Sequence, residues 1–331
     1  MAKKSKKSTP LKTESSFFHG RVIRNTGSSY VVRLDSGELI DCKVKGNFRI
    51  KGIRTTNPVA VGDLVEIEER PGDTNYIRKI DERKNYIIRR ASNLSKESHI
   101  LASNIDLAML VATVRDPLTP TTFIDRFLAT AEAYSIPAAL VLNKEDMWNE
   151  DDREYAMALK TLYETIGYKV YIVSALKGFG IENLENDLKD KITLLAGNSG
   201  VGKSSLINAM VPDAQLKTGA ISDIHHTGTH TTTFSEMISL PEGGELIDVP
   251  GVRGFGTIDF QPEEVDHFFP DIFKISHDCR FGNCTHNGEP GCAVVKAVED
   301  SFISQSRYNS YLSVLEEARE EEGADKYRKP F

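Results

Sequence analysis

The stretch GNSGVGKSS, Gly197 to Ser205, decides how the rest of this chain is interpreted. It matches the pattern G-x-x-x-x-G-K-[ST], it follows an apolar segment at 192–196, and a helical pattern begins at Lys203. Glycines let backbone N–H groups approach phosphate oxygens closely, and a helix N-terminus favours negative charge. The motif therefore predicts a phosphate-binding loop made of Gly197, Asn198, Ser199, Gly200, Val201, Gly202, Lys203, Ser204 and Ser205.

Three side chains are predicted to bind the phosphates and the magnesium ion beside them. Lys203 should reach the β- and γ-phosphate oxygens of a nucleotide, and the Ser204 hydroxyl should bind Mg²⁺. Asp248 lies in DVPG, at the end of another apolar segment, and is expected to hold the ion indirectly.

Two further segments supply candidate sensors of the γ-phosphate. The Gly251 N–H, in the same DVPG, is expected to donate to it. Upstream, TGTHTTT at 227–233 is rich in hydroxyls. Thr232 is the predicted Mg²⁺-sensing threonine, with Thr231 and Thr233 as close competitors.

The base is predicted by NKED, Asn143 to Asp146, which follows the apolar segment 137–142. A carboxylate at Asp146 can accept from both N1–H and N2–H of guanine, a donor pair that adenine lacks. Ligands bind at the carboxyl ends of strands in open α/β sheets, and SAL, Ser174 to Leu176, ends the next predicted strand. The predicted guanine-binding residues are Asn143, Lys144, Asp146, Ser174, Ala175 and Leu176.

The order of these motifs is unusual, because both base-binding segments precede the phosphate loop. In the common GTPase order the phosphate loop comes first. We interpret the order as a circular permutation, which a compact domain tolerates since its sheet needs adjacent strands more than fixed chain ends.

Apolar segments that alternate with helical patterns predict an α/β domain at about 100–260, with a sheet covered on both faces. The six predicted strands are IDLAMLVATV, PAALVLN, KVYIVSA, KITLLAG, TTFSEMISL and GELIDVPG. The predicted helices lie at 121–135, 151–166, 182–190 and 203–210.

The chain before this domain predicts a basic, disordered tail at 1–16 and a small barrel at 17–90. Five short alternating segments separated by turn residues are typical of an OB-fold. They are GRVIRN, SYVVRLDSG, ELIDCKV, LVEIEE and NYIIRR.

The last part, 261–331, predicts a helical domain around a metal site, with helices near 293–300 and 304–321. The pattern Cys279-x4-Cys284-x-His286-x5-Cys292 offers three sulfurs and one imidazole. Such a closed Cys₃His set suits one structural Zn²⁺ in tetrahedral geometry. The spacing alone leaves His277 as a competing nitrogen ligand and buried thiols without metal as the alternative.

Composition limits the classes of protein that remain. The chain has 331 residues and a net charge of −7, so it is not a generally basic nucleic-acid binder. No apolar run reaches about 18 residues and the first residues lack the apolar core of a signal peptide, so neither a membrane span nor secretion is expected. The clustered Cys residues favour metal over disulfides, so we expect a cytoplasmic protein. We also expect a monomer.

The features that carry a family resemblance are GNSGVGKSSLIN, the preceding NKED, HTTT, DVPG, a β-rich front and CRFGNCTHNGEPGCAV. Together they closely resemble those of the circularly permuted GTPases of the RsgA family, also called YjeQ or EngC. The likeness runs from about residue 17 to 320. It implies a GTP-hydrolysing enzyme in late maturation of the small ribosomal subunit, which binds that subunit and its rRNA and is stimulated by it. It also favours His286 as the zinc ligand. Many members carry Arg or Lys before the switch histidine, whereas this chain has Gly228-Thr229-His230.

Hydrolysis requires a group that orients water. Val252 follows DVPG and cannot form a hydrogen bond, so a slow basal rate is expected. The hypothesis is that His230 positions the water once a partner orders its loop. Two rivals remain open at this point: a nucleotide-gated assembly factor in which hydrolysis only resets binding, and an RNA-remodelling ATPase, which Asp146 opposes.

Overall fold

The computed structural model describes residues 16–27, 29–44, 58–69, 74–90, 98–214, 216, 235–249 and 260–327. The expected basic tail lies almost wholly outside these ranges. Within them, none of the helices combines the length and the apolar character needed to cross a bilayer.

The N-terminal part is a closed five-stranded barrel, as the sequence predicts. Its strands are β1 (Ser16–Asn25), β2 (Tyr30–Leu34), β3 (Leu39–Val44), β4 (Leu64–Glu69) and β5 (Asn75–Ile80). They pair in the order β1-β2-β3-β5-β4, and β4 pairs back with β1 to close the barrel. Only β3 and β5 run parallel, and alternate side chains such as Val32, Ile67 and Ile77 fill the interior. This arrangement is OB-like.

The fifth barrel strand was predicted in the wrong place. NYIIRR forms β6 (Tyr86–Arg90), which pairs outside the barrel with β7 (Ser98–Ser103). The barrel instead uses β5, where Ile77 is the one fully buried residue among charged and polar neighbours. That single inward position gives a weak alternation signal, whereas the apolar run of β6 gives a strong one.

The central part contributes six strands to a sheet that continues into the barrel, and all six predicted strands are confirmed. They are β8 (Leu107–Ala112), β9 (Ala138–Leu142), β10 (Lys169–Ile172), β11 (Ile192–Gly197), β12 (Glu236–Ser239) and β13 (Glu245–Asp248). The order is β10-β9-β8-β11-β13-β12, with β12 antiparallel and the other five parallel. Parallel strands place all their carboxyl ends at one edge, which is where the candidate site lies.

Helices cover both faces of this sheet. They are α1 (Thr121–Ala133), α2 (Glu150–Ile166), α3 (Ile181–Leu188) and α4 (Lys203–Met210). Successive strand residues alternate between two cores: Leu110 packs with α1 and α2, and Met109 packs with α3 and α4. Burial on both faces explains why the strands are continuous apolar runs.

The C-terminal part is helical. A short 3-10 helix at Pro262–Phe268 precedes α5 (Pro270–Ser276), α6 (Ala293–Glu299) and α7 (Gln305–Tyr327). The last two match the predicted helices, whereas the first two were not predicted. Phe269, Ile272, Val294 and Tyr311 form the centre of its core, which also contains Ala129 of α1.

Ion pairs join the three parts. Arg33 of the barrel contacts Glu245 of β13 at 2.5 Å and Ser239 of β12 at 3.1 Å. On the other side, Arg307 of α7 contacts Asp125 of α1 at 2.8 Å, and both side chains are almost fully buried. The carboxylates of Asp125 and Asp271 raise the pKa of Arg307, although burial alone would lower it.

Candidate functional site: a nucleotide pocket and a metal centre

The candidate nucleotide site is the carboxyl edge of the parallel strands. The NKED segment follows β9, Ser174 follows β10, the phosphate loop follows β11 and Asp248 ends β13. These segments are distant in the sequence, but each follows or ends a strand of the same parallel sheet. They therefore meet at one edge of that sheet.

The phosphate loop depends on glycines at defined positions. Gly200 and Gly202 have φ values of +85° and +89°, a region that favours glycine. A Cβ at Gly202 would lie 2.5 Å from Nδ2 of Asn143, so the loop passes directly over that side chain. A Cβ at Gly197 would lie 2.8 Å from the Val111 carbonyl oxygen of β8. The loop is thus packed tightly against the two segments beneath it.

Asn143 joins the predicted phosphate loop to the predicted base-binding segments. Its Nδ2 donates to the Val201 carbonyl at 2.9 Å, and its Oδ1 accepts from the Ala175 N–H at 3.1 Å. The side chain is 1% exposed. One amide therefore sets the relative position of three loops.

The other members of the predicted base site lie around Asn143. The Ser174 hydroxyl donates to Asp146 Oδ1 at 2.5 Å and accepts from the Lys177 N–H at 3.1 Å. Lys144 adopts a left-handed conformation with φ 67°. Leu176 is 77% exposed, so its backbone and side chain border solvent at this edge.

Charges of opposite sign meet at the predicted phosphate and magnesium site. Lys203 Nζ forms an ion pair with Asp248 Oδ1, and both side chains are largely buried. Ser204 and Ser205 are half-buried in the first turn of α4. The predicted phosphate-binding cation and the predicted Mg²⁺ carboxylate therefore lie in direct contact.

The predicted γ-phosphate sensors lie outside the described residues. These are Gly251, Thr232 with its competitors Thr231 and Thr233, and the hydrolytic candidate His230.

The segment after β8 is a further part of this edge that the sequence analysis missed. Lys144 Nζ donates to the Asp116 carbonyl at 2.5 Å, and a Cβ at Gly200 would lie 3.4 Å from Pro117. Arg115 contacts Asp152, in the first turn of α2, at 2.7 Å. The available signal was its position, since this polar stretch follows a parallel strand of the same sheet.

The metal candidates converge as a second site. One ligand atom from each of Cys279, Cys284, His286 and Cys292 lies within 4.8 Å of the other three. His286 Nδ1 is 3.5 Å from Sγ of both Cys279 and Cys292, and those two sulfurs are 3.9 Å apart. Tetrahedral Zn²⁺ with ordinary bond lengths needs about 3.6 Å and about 3.8 Å for these separations. The cluster is therefore compatible with zinc, while His277 lies outside it.

Backbone N–H groups donate to two of these sulfurs, although burial still raises the pKa of Cys292. Ala293 donates to Cys279 Sγ at 3.3 Å, and Val295 donates to Cys292 Sγ at 3.4 Å. Although burial opposes it, the Ala293 N–H helps to lower the pKa of Cys279. Burial raises the pKa of Cys284 to about 12, so binding a metal there displaces a proton.

Comparison with known proteins decides the family. The model of the RsgA GTPase matches residues 80–258. This chain belongs to the RsgA family of GTPases. The RsgA N-terminal domain matches residues 19–77. The small ribosomal subunit biogenesis GTPase RsgA of Bacteroides fragilis strain YCH46 is 57% identical over 312 residues, which cover 94% of this chain and 99% of that protein.

Solved structures support the permuted fold. YjeQ from Thermotoga maritima has a TM-score of 0.73 and 33% identity, and the match covers 92% of this chain and 99% of that one. YloQ, described as a circularly permuted GTPase, has a TM-score of 0.69 and 30% identity over 98% of this chain and 100% of its own. This RsgA-family chain is therefore a circularly permuted, GTP-hydrolysing enzyme, and family membership implies a guanine nucleotide with Mg²⁺.

Proposed function

We propose that this GTPase acts in late maturation of the small ribosomal subunit, which it binds through rRNA in a nucleotide-dependent way. The observation that carries the nucleotide part is the Asn143 bridge between the phosphate loop and the base-binding segments. The ribosomal part is supported by the name of the Bacteroides fragilis relative.

Guanine recognition is proposed for the edge around Asp146. Its carboxylate accepts from N1–H and N2–H of the base, and Lys144 lies against the ring. Ser174 orients the carboxylate through its hydroxyl. Because the Ala175 N–H already donates to Asn143, we propose that the guanine oxygen shares that donor or takes the N–H of exposed Leu176.

Phosphate and magnesium binding is proposed for the phosphate loop and Asp248. Backbone N–H groups from Gly197 to Ser205 and the Lys203 ammonium bind the β- and γ-phosphates. Nucleotide entry replaces the Lys203–Asp248 ion pair: Lys203 then contacts the phosphates, and Asp248 would hold the magnesium ion indirectly. Ser204 and Thr232 complete the ion's protein contacts, and the Gly251 N–H donates to the γ-phosphate.

Hydrolysis is proposed to depend on the partner. Val252 stands where many GTPases place a water-orienting glutamine, so the isolated chain is slow. His230 positions the attacking water when the small subunit orders its loop. Such assistance raises the rate by roughly 10²- to 10⁵-fold in other GTPases.

The remaining parts serve binding to the subunit. We propose that residues 17–90 and 261–331 are separate rRNA-binding domains around the GTPase domain at 100–260, that 1–16 is a basic tail, and that the protein is a monomer. Zn²⁺ at the Cys₃His cluster is structural, because the four protein ligands leave no open position. Its role is to hold a loop-rich segment that a small core cannot fix alone.

The deciding experiment compares GTP and ATP turnover with and without purified small ribosomal subunits. Of the two nucleotides only GTP should be hydrolysed, slowly by the isolated chain and faster with the subunit. Asp146→Asn should move the preference from GTP to XTP, since xanthine offers an acceptor where guanine has N2–H. Equal turnover of ATP, or an Asp146→Asn variant that still prefers GTP, would contradict the proposal.

A second candidate is a nucleotide-gated assembly factor in which hydrolysis only resets binding. Val252 favours it, because a site without a water-orienting side chain is suited to slow turnover. Subunit binding and release with GTP and with a non-hydrolysable analogue separate the two. Normal subunit maturation with the analogue would favour the gated factor.

A further inference from the structure

One histidine of the metal cluster is held by a residue outside the metal loop. His286 Nδ1 faces the cysteine sulfurs, whereas Nε2 on the far side of the ring lies 3.3 Å from Asp266 Oδ2. Asp266 belongs to the short 3-10 helix at Pro262–Phe268 and lies 20 positions before His286 in the sequence. The ring thus lies between the cluster and a carboxylate.

The chemistry of an imidazole ligand requires a partner at this position. A histidine that binds a metal through Nδ1 must be neutral, with its proton on Nε2. The ring is 1% exposed, so water does not supply the acceptor for that proton. Leaving a buried donor unpaired costs about 1–3 kcal/mol, and a carboxylate acceptor also makes the ring more basic.

The backbone of the metal loop is already fixed by other contacts. Tyr308 OH donates to the His286 carbonyl at 2.6 Å, and Tyr311 OH donates to the Thr285 carbonyl at 2.8 Å. His286 itself has a left-handed backbone with φ 57°. These contacts fix the backbone of His286, and the hydrogen bond to Asp266 gives the ring itself a fixed partner.

We propose that Asp266 is a positioning residue for the zinc site: it accepts the Nε2 proton of His286 and so fixes the tautomer and orientation that present Nδ1 to the metal. This role rests on the zinc site in the proposed function. The hydrogen bond also connects the metal loop to the 3-10 helix at Pro262–Phe268, which lies outside that loop.

The test measures zinc affinity in the full chain by competition with a chromophoric chelator, and uses Co²⁺ to record the visible spectrum of the cluster. Asp266→Ala should weaken zinc binding roughly 10- to 100-fold. Asp266→Asn keeps the size and an acceptor but loses the charge, so its affinity should lie between wild type and Asp266→Ala. GDP affinity, which reports the GTPase sheet, should be unchanged in both variants.

Asp278→Ala is the matched control, since Asp278 is an exposed carboxylate directly before Cys279. It should retain wild-type zinc affinity, which separates the hydrogen bond from general charge effects. The role would be overturned if Asp266→Ala kept the zinc affinity of the wild type or if Asp278→Ala lost as much affinity as Asp266→Ala. It would also be overturned if the zinc affinity of Asp266→Asn did not lie between those of the wild type and Asp266→Ala. If the wild-type chain took up no zinc, both the zinc site and the role of Asp266 would be overturned. GTP turnover by the same chain would remain a separate test of the GTPase function.

Discussion

The side-chain amide of Asn143 donates to the Val201 carbonyl at 2.9 Å, and so connects the end of β9 to the phosphate loop. Its oxygen accepts from Ala175 at the end of β10. The base end and the phosphate end of the candidate site are therefore held by one buried side chain, which makes their spacing sensitive to a single substitution.

Asn143→Ala should weaken GDP binding about 10- to 100-fold. The change leaves the buried Val201 carbonyl and the partly buried Ala175 N–H without their partner, at about 1–3 kcal/mol, and frees two loops that must meet the same ligand. Titration with a fluorescent GDP analogue measures the loss. Asn149→Ala is the control, because Asn149 only caps α2. Equal losses in both variants would show that Asn143 acts through overall stability alone.

Gly202→Ala should weaken nucleotide binding far more than Gly178→Ala. Both glycines have positive φ, so both variants bear the backbone cost of about 1–2 kcal/mol. Only at Gly202 does the new Cβ meet Asn143 Nδ2, at 2.5 Å, whereas nothing lies within 4 Å at Gly178. The comparison of GDP affinities isolates the steric contact. Similar affinities would mean that the loop has room to shift away from Asn143.

Arg307→Met should lower the free energy of unfolding by about 3–5 kcal/mol, because it leaves Asp125 as a buried charge without its partner. Arg126→Met, on the same helix interface, removes the more exposed pair with Glu317 and should cost less than about 1 kcal/mol. Chemical denaturation followed by circular dichroism measures both. An Arg307→Met loss as small as that of Arg126→Met would show that the buried pair contributes little.

Glu289 should make the metal loop more stable above pH 4.5 than at pH 2. Burial opposes its ionisation, but the Thr285 hydroxyl and the surrounding N–H groups lower its pKa to about 2. A lowered carboxyl pKa stabilises the fold above the unfolded value, and this contribution disappears as the pH falls through the folded value. Because Glu289 is partly exposed, we expect only about 1 kcal/mol.

The measurement for Glu289 is the difference in unfolding free energy between wild type and Glu289→Gln across this pH range. It should be constant near neutral pH and shrink toward zero near pH 2. Glu264→Gln, an exposed carboxylate of the same region, serves as the control. A difference that does not change with pH would rule out ionisation of Glu289 as the cause.

The convergence of the predicted nucleotide-binding segments at one sheet edge could be predicted from the sequence, because the motifs lie at strand ends. Continuous apolar runs revealed the strands, and parallel strands bring their carboxyl ends together without further information. The convergence of Asn143, Ser174, Lys203 and Asp248 follows from that rule. The cysteine cluster was predictable for a similar reason, since its ligands lie close together in the sequence.

The missed features depend on pairing between distant residues. Composition rules place Arg307 and Asp125 at the surface, and their burial depends on contacts with each other, with Asp271 and with Tyr163. Asp266 belongs to no motif, so nothing in the sequence connects it with His286. The barrel strand β5 was missed because one buried residue, Ile77, cannot establish an alternating pattern.

The barrel also covers part of the outer edge of the GTPase sheet. β12 is the outermost strand of the six, and β1 of the barrel pairs with it through Arg24 and Glu236. A chain shortened to begin after the barrel would lose this pairing and expose more of the edge of β12, a template for intermolecular β pairing. The pairing of Arg24 with Glu236 therefore gives the barrel a structural role at this edge, apart from any ligand that it binds.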